Sequence, residues 1–166
     1  MSNFVSRIQK ICSQYGCEKV AIFIDMDGTI VEYPVLRYEE VGKIMQTDDY
    51  YSTKEPIPCI MNVLQELLEI SNLDFYILSM SRNLKITESK KIWLSKYMSF
   101  IPESHWILLT KEAGDYSDNN RNSQKSLEIT KKGYIHSILL DDDHAVLKET
   151  KKFDEITPFH ISSALL

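Results

Sequence analysis

The chain has 166 residues, 43% hydrophobic and 26% charged, which is typical of a water-soluble globular domain. Its formal net charge of −5 at pH 7 argues against long DNA or RNA as a partner, while a local basic pocket for a small anion stays compatible with it. No apolar run approaches the length of a membrane span, and no signal-peptide core is visible, so we expect a cytoplasmic protein without membrane contact. The three cysteines lack the spacing of a zinc site and are expected to be free thiols.

The first elements combine a helical and a strand pattern. Residues 3 to 15 carry apolar side chains at helical spacing, and Gly16 is a suitable end for that helix. The apolar run from Val20 to Ile24 then predicts a buried strand, directly followed by Asp25 and Asp27. An unpaired buried charge is costly, whereas ligand sites of parallel sheets lie where the strands end. The two carboxylates therefore indicate a functional site.

Residues 31 to 55 show neither a helical nor a strand period. A segment of this length beside a candidate site is more often functional than idle. We interpret it as a flap or mini-cap inserted after the first strand.

The rest of the chain repeats the alternation of helices and strands. A helix is opened by Pro56-Ile57-Pro58 and ended by Ser71-Asn72, and the later helices are predicted at 84–98, 123–132 and 145–151. The further strands are predicted at 74–78, 106–109, 136–140 and near 156–161. On the helix over 84–98, Asn83 or Thr87 is the expected cap, and Ile92, Trp93 and Tyr97 are expected to face inward.

This alternation predicts one α/β domain over residues 1–166, a Rossmann-like three-layer sandwich with a mostly parallel central sheet. Right-handed crossovers bring the carboxyl ends of its strands to one edge. Polar side chains follow three of those ends, and they are Asp25 with Asp27, Ser79, and Asp141 with Asp142. Converging carboxylates repel one another unless a cation lies between them, and hard oxygen ligands suit Mg²⁺ better than zinc or copper.

Such a group of residues suits phosphoryl chemistry. One carboxylate can attack phosphorus to form an aspartyl phosphate while a metal ion holds a phosphate oxygen. A second carboxylate two residues further on can protonate the leaving oxygen and then activate water. Ser79 and a lysine could hold the phosphoryl oxygens.

The motifs resemble those of the haloacid dehalogenase (HAD) superfamily of phosphohydrolases. Asp25-Met26-Asp27-Gly28-Thr29 is similar to the first motif of that family, DxDGT, and follows a hydrophobic strand. Ser79 matches the second motif, a Ser or Thr that closes the next strand, and Asp141 with Asp142 matches the fourth, an acidic pair. Within the superfamily the chain most resembles the small 5′(3′)-deoxyribonucleotidase-like group, although Ser79-Met80 and the loop over 112–123 depart from its pattern.

The resemblance implies a role for each matching residue. Asp25 would be the nucleophile and a Mg²⁺ ligand, and Asp27 the general acid/base whose backbone carbonyl also contacts the metal. Thr29 and Ser79 would support the phosphate region, while Asp141, with Asp142 directly or through water, would complete the metal site. The lysine of the third motif is less determined. Lys125 fits best, and the alternatives are Lys111, Lys131 and Lys132.

We therefore expect a Mg²⁺-dependent phosphatase for a small phosphorylated metabolite, with a nucleoside monophosphate among the candidates. One alternative is a phosphatase of polynucleotide ends, which the acidic charge disfavours. Another is a non-catalytic protein of the same fold that binds phosphate or Mg²⁺. The short flap suggests an open site, unless a second subunit of a homodimer covers it.

Overall fold

The structure is a computed structural model that describes residues 3–32 and 50–165. Its centre is a five-stranded sheet, all parallel, with the order β3-β2-β1-β4-β5. The strands are β1 (Val20–Ile24), β2 (Leu73–Ser81), β3 (Trp106–Thr110), β4 (His136–Asp141) and β5 (Ile156–His160). The α-helices of the described residues are α1 (Asn3–Ser13), α2 (Pro58–Leu67), α3 (Leu84–Tyr97), α4 (Arg121–Thr130) and α5 (His144–Thr150). Short 3₁₀ helices cover Tyr50–Thr53, Glu103–His105 and Ile161–Leu165.

Helices cover both faces of the sheet, so the predicted Rossmann-like α/β sandwich is confirmed. Alternate residues of β1 point to opposite faces, which explains why this strand is apolar throughout. Ile22 and Ile24 pack in one core with α1, α2 and α3. Ala21 and Phe23 pack in a second core with residues of α4 and α5. Every residue of β1 is buried.

The register of the sheet aligns the carboxyl ends of β1 and β4. Ile24 lies opposite Leu140, and the amide of Asp25 donates to the carbonyl of Leu140 over 3.0 Å. Asp25 and Asp141 therefore follow the same level of two neighbouring strands. By alternation both side chains emerge on the face that packs against α4.

Several element boundaries differ from the sequence prediction. β2 continues to Ser81, three residues beyond the predicted end, because Ser79 and Ser81 pair with Leu108 and Thr110 of β3. α2 ends at Leu67, before the predicted stop at Ser71-Asn72.

α3 begins as predicted, because Oδ1 of Asn83 accepts the amide of Ile86 over 2.9 Å as an N-cap. Its predicted inward face is correct for Trp93, whereas Tyr97 is half-buried. It is wrong for Ile92, which is 71% exposed. The buried residues of α3 recur every three or four positions, and Ile92 falls outside that stripe.

The predicted flap over 31–55 lies largely outside the described residues, but its two ends are described. Val31 and Pro56 form an antiparallel bridge, and the amide of Ile57 donates to the carbonyl of Ile30 over 3.0 Å. The described residues on the two sides of the segment therefore lie next to each other. Of the described residues near its end, Tyr50–Thr53 packs on α3.

Candidate functional site

A tight turn after β1 positions the first two carboxylates. The carbonyl of Met26 accepts the amides of Ile30 and Val31, each over 2.9 Å, and the amide of Gly28 donates to the carbonyl of Val31 over 2.8 Å. Gly28 adopts a φ of 73°, a conformation that side-chain-bearing residues rarely adopt. The glycine of the motif is thus required by the turn that separates Asp27 from the end of the strand.

Lys125 joins the carboxylates of β1 and β4. Its Nζ donates to Oδ1 of Asp25 over 2.7 Å and to Oδ2 of Asp141 over 2.6 Å. All three side chains are at least nine-tenths buried. Burial opposes the charged form of Lys125, but the two carboxylates outweigh burial and raise the pKa of its ammonium group above the usual value. Among the described residues, no hydrogen bond reaches Oδ2 of Asp25.

Asp142 completes a group of three carboxylates beside this lysine. Single oxygens of Asp25, Asp141 and Asp142 all lie within 4.8 Å of one another. Burial, with smaller contributions from the neighbouring carboxylates, raises the pKa of Asp142 to about 7. Burial likewise raises the pKa of Asp25 to about 6, although Lys125 opposes the shift. The group offers only oxygen atoms, two of its members are buried, and its charges repel, which fits a hard divalent cation such as Mg²⁺.

Asp27 is held separately from these three residues. The phenol of Tyr51 donates to its Oδ1 over 2.5 Å, and Nζ of Lys90 donates to its Oδ2 over 2.7 Å. Burial and the charge of Asp27 raise the pKa of the Tyr51 phenol far above its usual value, so that Tyr51 stays a donor. The side chain of Asp27 therefore lies outside the carboxylate group, and contact of its backbone carbonyl with a metal stays a prediction.

Lys90 also connects Asp27 to the second motif. Its Nζ donates to Oγ of Ser79 over 2.8 Å and to the carbonyl of Met80 over 2.7 Å. The Lys90 side chain is 0% exposed, so that these groups and Asp27 replace its hydration shell. The structure thus brings Ser79 next to Asp27 through a buried ammonium group.

Thr29 is fully buried, and its hydroxyl has no hydrogen-bond partner among the described residues. An unpartnered buried hydroxyl is unusual and calls for a water or a ligand. Its predicted role near the phosphate stays a prediction.

The lysine alternatives are separated by their positions. Lys111 pairs with Asp118 and Lys131 with Glu128, both on the surface, and Lys132 lies over the ring of Tyr76. Lys125 is the one of these four lysines that contacts Asp25. Asp143 accepts the amide of Ala145 over 2.8 Å as the cap of α5. Lys125 lies on α4, within the helix predicted over 123–132.

Sequence reasoning missed Lys90 and Tyr51. The signal for Lys90 was its place on the buried stripe of α3, between Thr87 and Trp93, where a lysine without a partner would be costly. Tyr51 lies in the segment without a recognisable period, and nothing in the sequence separates it from its neighbour Tyr50.

The charged groups of the site carry an excess of negative charge. Four carboxylates, of Asp25, Asp27, Asp141 and Asp142, face the two ammonium groups of Lys90 and Lys125. When all six groups are ionised, two negative charges are left over. A divalent cation would balance these two charges. Protonation of Asp25 and Asp142, whose pKa values are raised, is the other way to remove them.

The comparisons with known proteins add no assignment. Neither the scan against protein-family models nor the search of curated proteins finds a match for this chain. Within residues 3–32 and 50–165, every helix is too short or too polar to cross a membrane.

Proposed function

We propose that the protein is a Mg²⁺-dependent phosphomonoesterase that hydrolyses a small phosphorylated metabolite, for example a nucleoside monophosphate, through a phosphorylated Asp25. The observation that carries the proposal is the separate fixing of two carboxylates two residues apart. Lys125 holds Asp25, and Lys90 with Tyr51 holds Asp27. The resemblance of the motifs to HAD phosphohydrolases supports the same assignment.

Each residue then has a defined task. Oδ2 of Asp25 attacks phosphorus, an acyl phosphate bond forms, and the bond from phosphorus to the leaving oxygen breaks. Asp27 must first bind a proton, because both of its oxygens accept hydrogen bonds in the structure. It gives that proton to the leaving oxygen and later takes one from the water that attacks the acyl phosphate, which releases phosphate and restores the carboxylate of Asp25. Since both oxygens of Asp27 are engaged, its bond to Tyr51 or to Lys90 must open during this exchange.

Lys125 offsets the charge of the phosphoryl oxygens beside Asp25. Asp25, Asp141 and Asp142 would hold the Mg²⁺ ion, which supplies charge neutralisation at the phosphoryl group.

The direct test is hydrolysis of 4-nitrophenyl phosphate and of a panel of sugar phosphates and nucleoside monophosphates, with Mg²⁺ or with a chelator. We expect activity that Mg²⁺ restores after chelation. Lack of metal-dependent hydrolysis across the whole panel would refute the proposed activity. A mononucleotide and an oligonucleotide with the same terminal phosphate separate the small substrate from a polynucleotide end.

The raised pKa values predict how Mg²⁺ binding depends on pH. The carboxyl pKa is about 4 in the unfolded chain, and it is about 6 for Asp25 and about 7 for Asp142 in the folded protein. Between these values the folded, metal-free protein holds protons that the unfolded chain has released. The free energy of unfolding of the metal-free protein therefore falls as pH rises through this window. Because Mg²⁺ must displace those protons, we expect it to raise the melting temperature more at pH 8 than at pH 5.5.

Differential scanning calorimetry at the two pH values measures this difference. In Asp142→Asn, the Mg²⁺-induced rise in melting temperature should differ less between pH 5.5 and pH 8 than in the unsubstituted protein. The same Mg²⁺-induced rise at both pH values in the unsubstituted protein would contradict the assignment of the metal site.

Lys90 is predicted to be a positioning residue for Asp27. In Lys90→Met, Asp27 loses the cation that orients it, so that proton donation to the leaving group should suffer. A poor leaving group depends on that proton more than a good one does. We therefore expect kcat/KM to fall about 10²-fold for an alkyl phosphate, but only about tenfold for 4-nitrophenyl phosphate.

The matched control for this variant is Lys91→Met, on the same helix, whose ammonium group pairs with Glu88 at the surface. It should leave the ratio of the two substrates unchanged. Equal losses for both substrates in Lys90→Met would mean that Lys90 has a general structural role instead.

A further inference from the structure

A second group of cations lies at the same edge of the sheet and is not used in the proposed chemistry. Arg82, Lys111 and Arg121 line a cavity of about 400 Å³ together with Tyr116 and Asp118. We call this cavity the basic pocket. Its residues follow β2, follow β3 and begin α4, so that three different elements bring positive charge to one place.

The basic pocket has a formed wall. The phenol of Tyr116, which is 8% exposed, donates to the carbonyl of Ser81 over 2.9 Å and ties the loop to the end of β2. Oδ2 of Asp115 accepts the amide of Thr110 over 2.7 Å, and the amide of Lys111 donates to the carbonyl of Ser81 over 2.9 Å. The loop predicted over 112–123 is therefore anchored to both neighbouring strands.

The basic pocket borders the carboxylate site. Arg121 lies one helical turn, a rise of about 6 Å, before Lys125 on α4. Its guanidinium donates to Asp143 over 2.8 Å, and Asp143 directly follows Asp142. Arg82 directly follows the last residue of β2 and lines the same cavity as Arg121.

The one carboxylate among the described residues that line the basic pocket, that of Asp118, offsets its positive charge only weakly. Lys111 pairs with Asp118, whose side chain is 81% exposed, and exposed ion pairs of this kind are weak. Within the described part of the chain, the guanidinium of Arg82 has no hydrogen bond or ion pair. A dianionic group could therefore replace Asp118 at Lys111 and bind Arg82 through paired hydrogen bonds.

We propose that the basic pocket binds a second anionic group of the substrate, a phosphate ester or phosphodiester that a short spacer separates from the reacting phosphate. The identity of the first group rests on the proposed function. The same chemistry could come from a small bisphosphate or from the next phosphodiester of a nucleic-acid end. A net charge of −5 favours the small bisphosphate, because the chain as a whole repels a longer polyanion.

Binding is tested without turnover in the Asp25→Asn protein by isothermal titration calorimetry in Mg²⁺. The probes are adenosine 5′-monophosphate, adenosine 3′,5′-bisphosphate and a 5′-phosphorylated dinucleotide. We expect the bisphosphate to bind about tenfold more tightly than the monophosphate, as one or two charge-assisted hydrogen bonds would give. Arg82→Gln or Lys111→Gln, each added to Asp25→Asn, should reduce this preference severalfold. Lys148→Gln removes an exposed charge from α5 and should not change it.

Each outcome decides the proposal. Equal binding of monophosphate and bisphosphate overturns it, and so does a preference that survives in both Arg82→Gln and Lys111→Gln. A preference for the dinucleotide over the bisphosphate supports the pocket but assigns it to a nucleic-acid end. If the protein prefers the bisphosphate but hydrolyses no phosphomonoester, the basic pocket is supported and the proposed activity is refuted. If it hydrolyses phosphomonoesters without preferring the bisphosphate, the activity is supported and the role of the basic pocket is refuted.

Discussion

Asp25→Asn is expected to lower kcat for phosphomonoester hydrolysis by about 10³-fold or more. Removal of a nucleophile has an effect of this size or larger in other enzymes that form covalent intermediates. An amide cannot attack phosphorus as a carboxylate does, and its addition also removes one negative charge from the carboxylate group around Lys125. Steady-state kinetics with 4-nitrophenyl phosphate in saturating Mg²⁺ measures the loss.

The control for Asp25→Asn is Asp154→Asn, an exposed aspartate before β5 that makes the same chemical change away from the site. It should retain the activity of the unsubstituted protein. Circular dichroism should show the same fold for both variants. If Asp25→Asn kept more than about a tenth of the activity, water rather than Asp25 would be the attacking group.

Lys125→Met is expected to have the largest effect on stability. The substitution keeps the length of the side chain but leaves Asp25 and Asp141 buried together without their shared cation. Removal of one partner from a buried ion pair costs about 3–5 kcal/mol. For a chain of this size that corresponds to a fall in melting temperature of about 6–20 °C. Thermal unfolding in the presence of a chelator measures it.

Two comparisons identify the cause of this loss. Lys131→Met lies at the end of the same helix and breaks an exposed pair with Glu128, so its melting temperature should change little. Added Mg²⁺ should recover part of the loss in Lys125→Met, because a cation among the carboxylates takes over some of the missing positive charge. A Lys125→Met protein as stable as Lys131→Met would contradict a stabilising role for the buried ion pairs of Lys125.

Much of the fold could be predicted because its signals are local. The uninterrupted apolar run of β1 predicts a strand buried on both faces, and Asn83 marks the start of α3 through its own side chain. The end of β2 could not be predicted in this way, since Ser79 to Ser81 belong to the strand only because β3 lies beside them. The exposure of Ile92 likewise depends on which stripe of α3 the sheet and the 3₁₀ helix at Tyr50–Thr53 cover.

The same distinction explains what was predicted of the site. Asp25, Asp27 and Asp141 stand out in the sequence because a charge directly behind an apolar strand has no structural use there. Lys125 could only be ranked above other lysines, since its contact with Asp25 joins residues 100 positions apart. Lys90 and Tyr51 reach Asp27 from a helix and from the segment after β1, and that convergence requires the tertiary structure.

The most direct test of the proposed mechanism is to trap the phosphorylated form of Asp25. The protein is incubated with Mg²⁺ and a phosphomonoester that it hydrolyses, and the reaction is quenched in acid. Borohydride then reduces an acyl phosphate to an alcohol. Peptide mass spectrometry then locates the change. We expect substrate-dependent formation of homoserine in place of Asp25, and none in the absence of substrate. Turnover with an unmodified Asp25, or with the modification at another carboxylate, would contradict it.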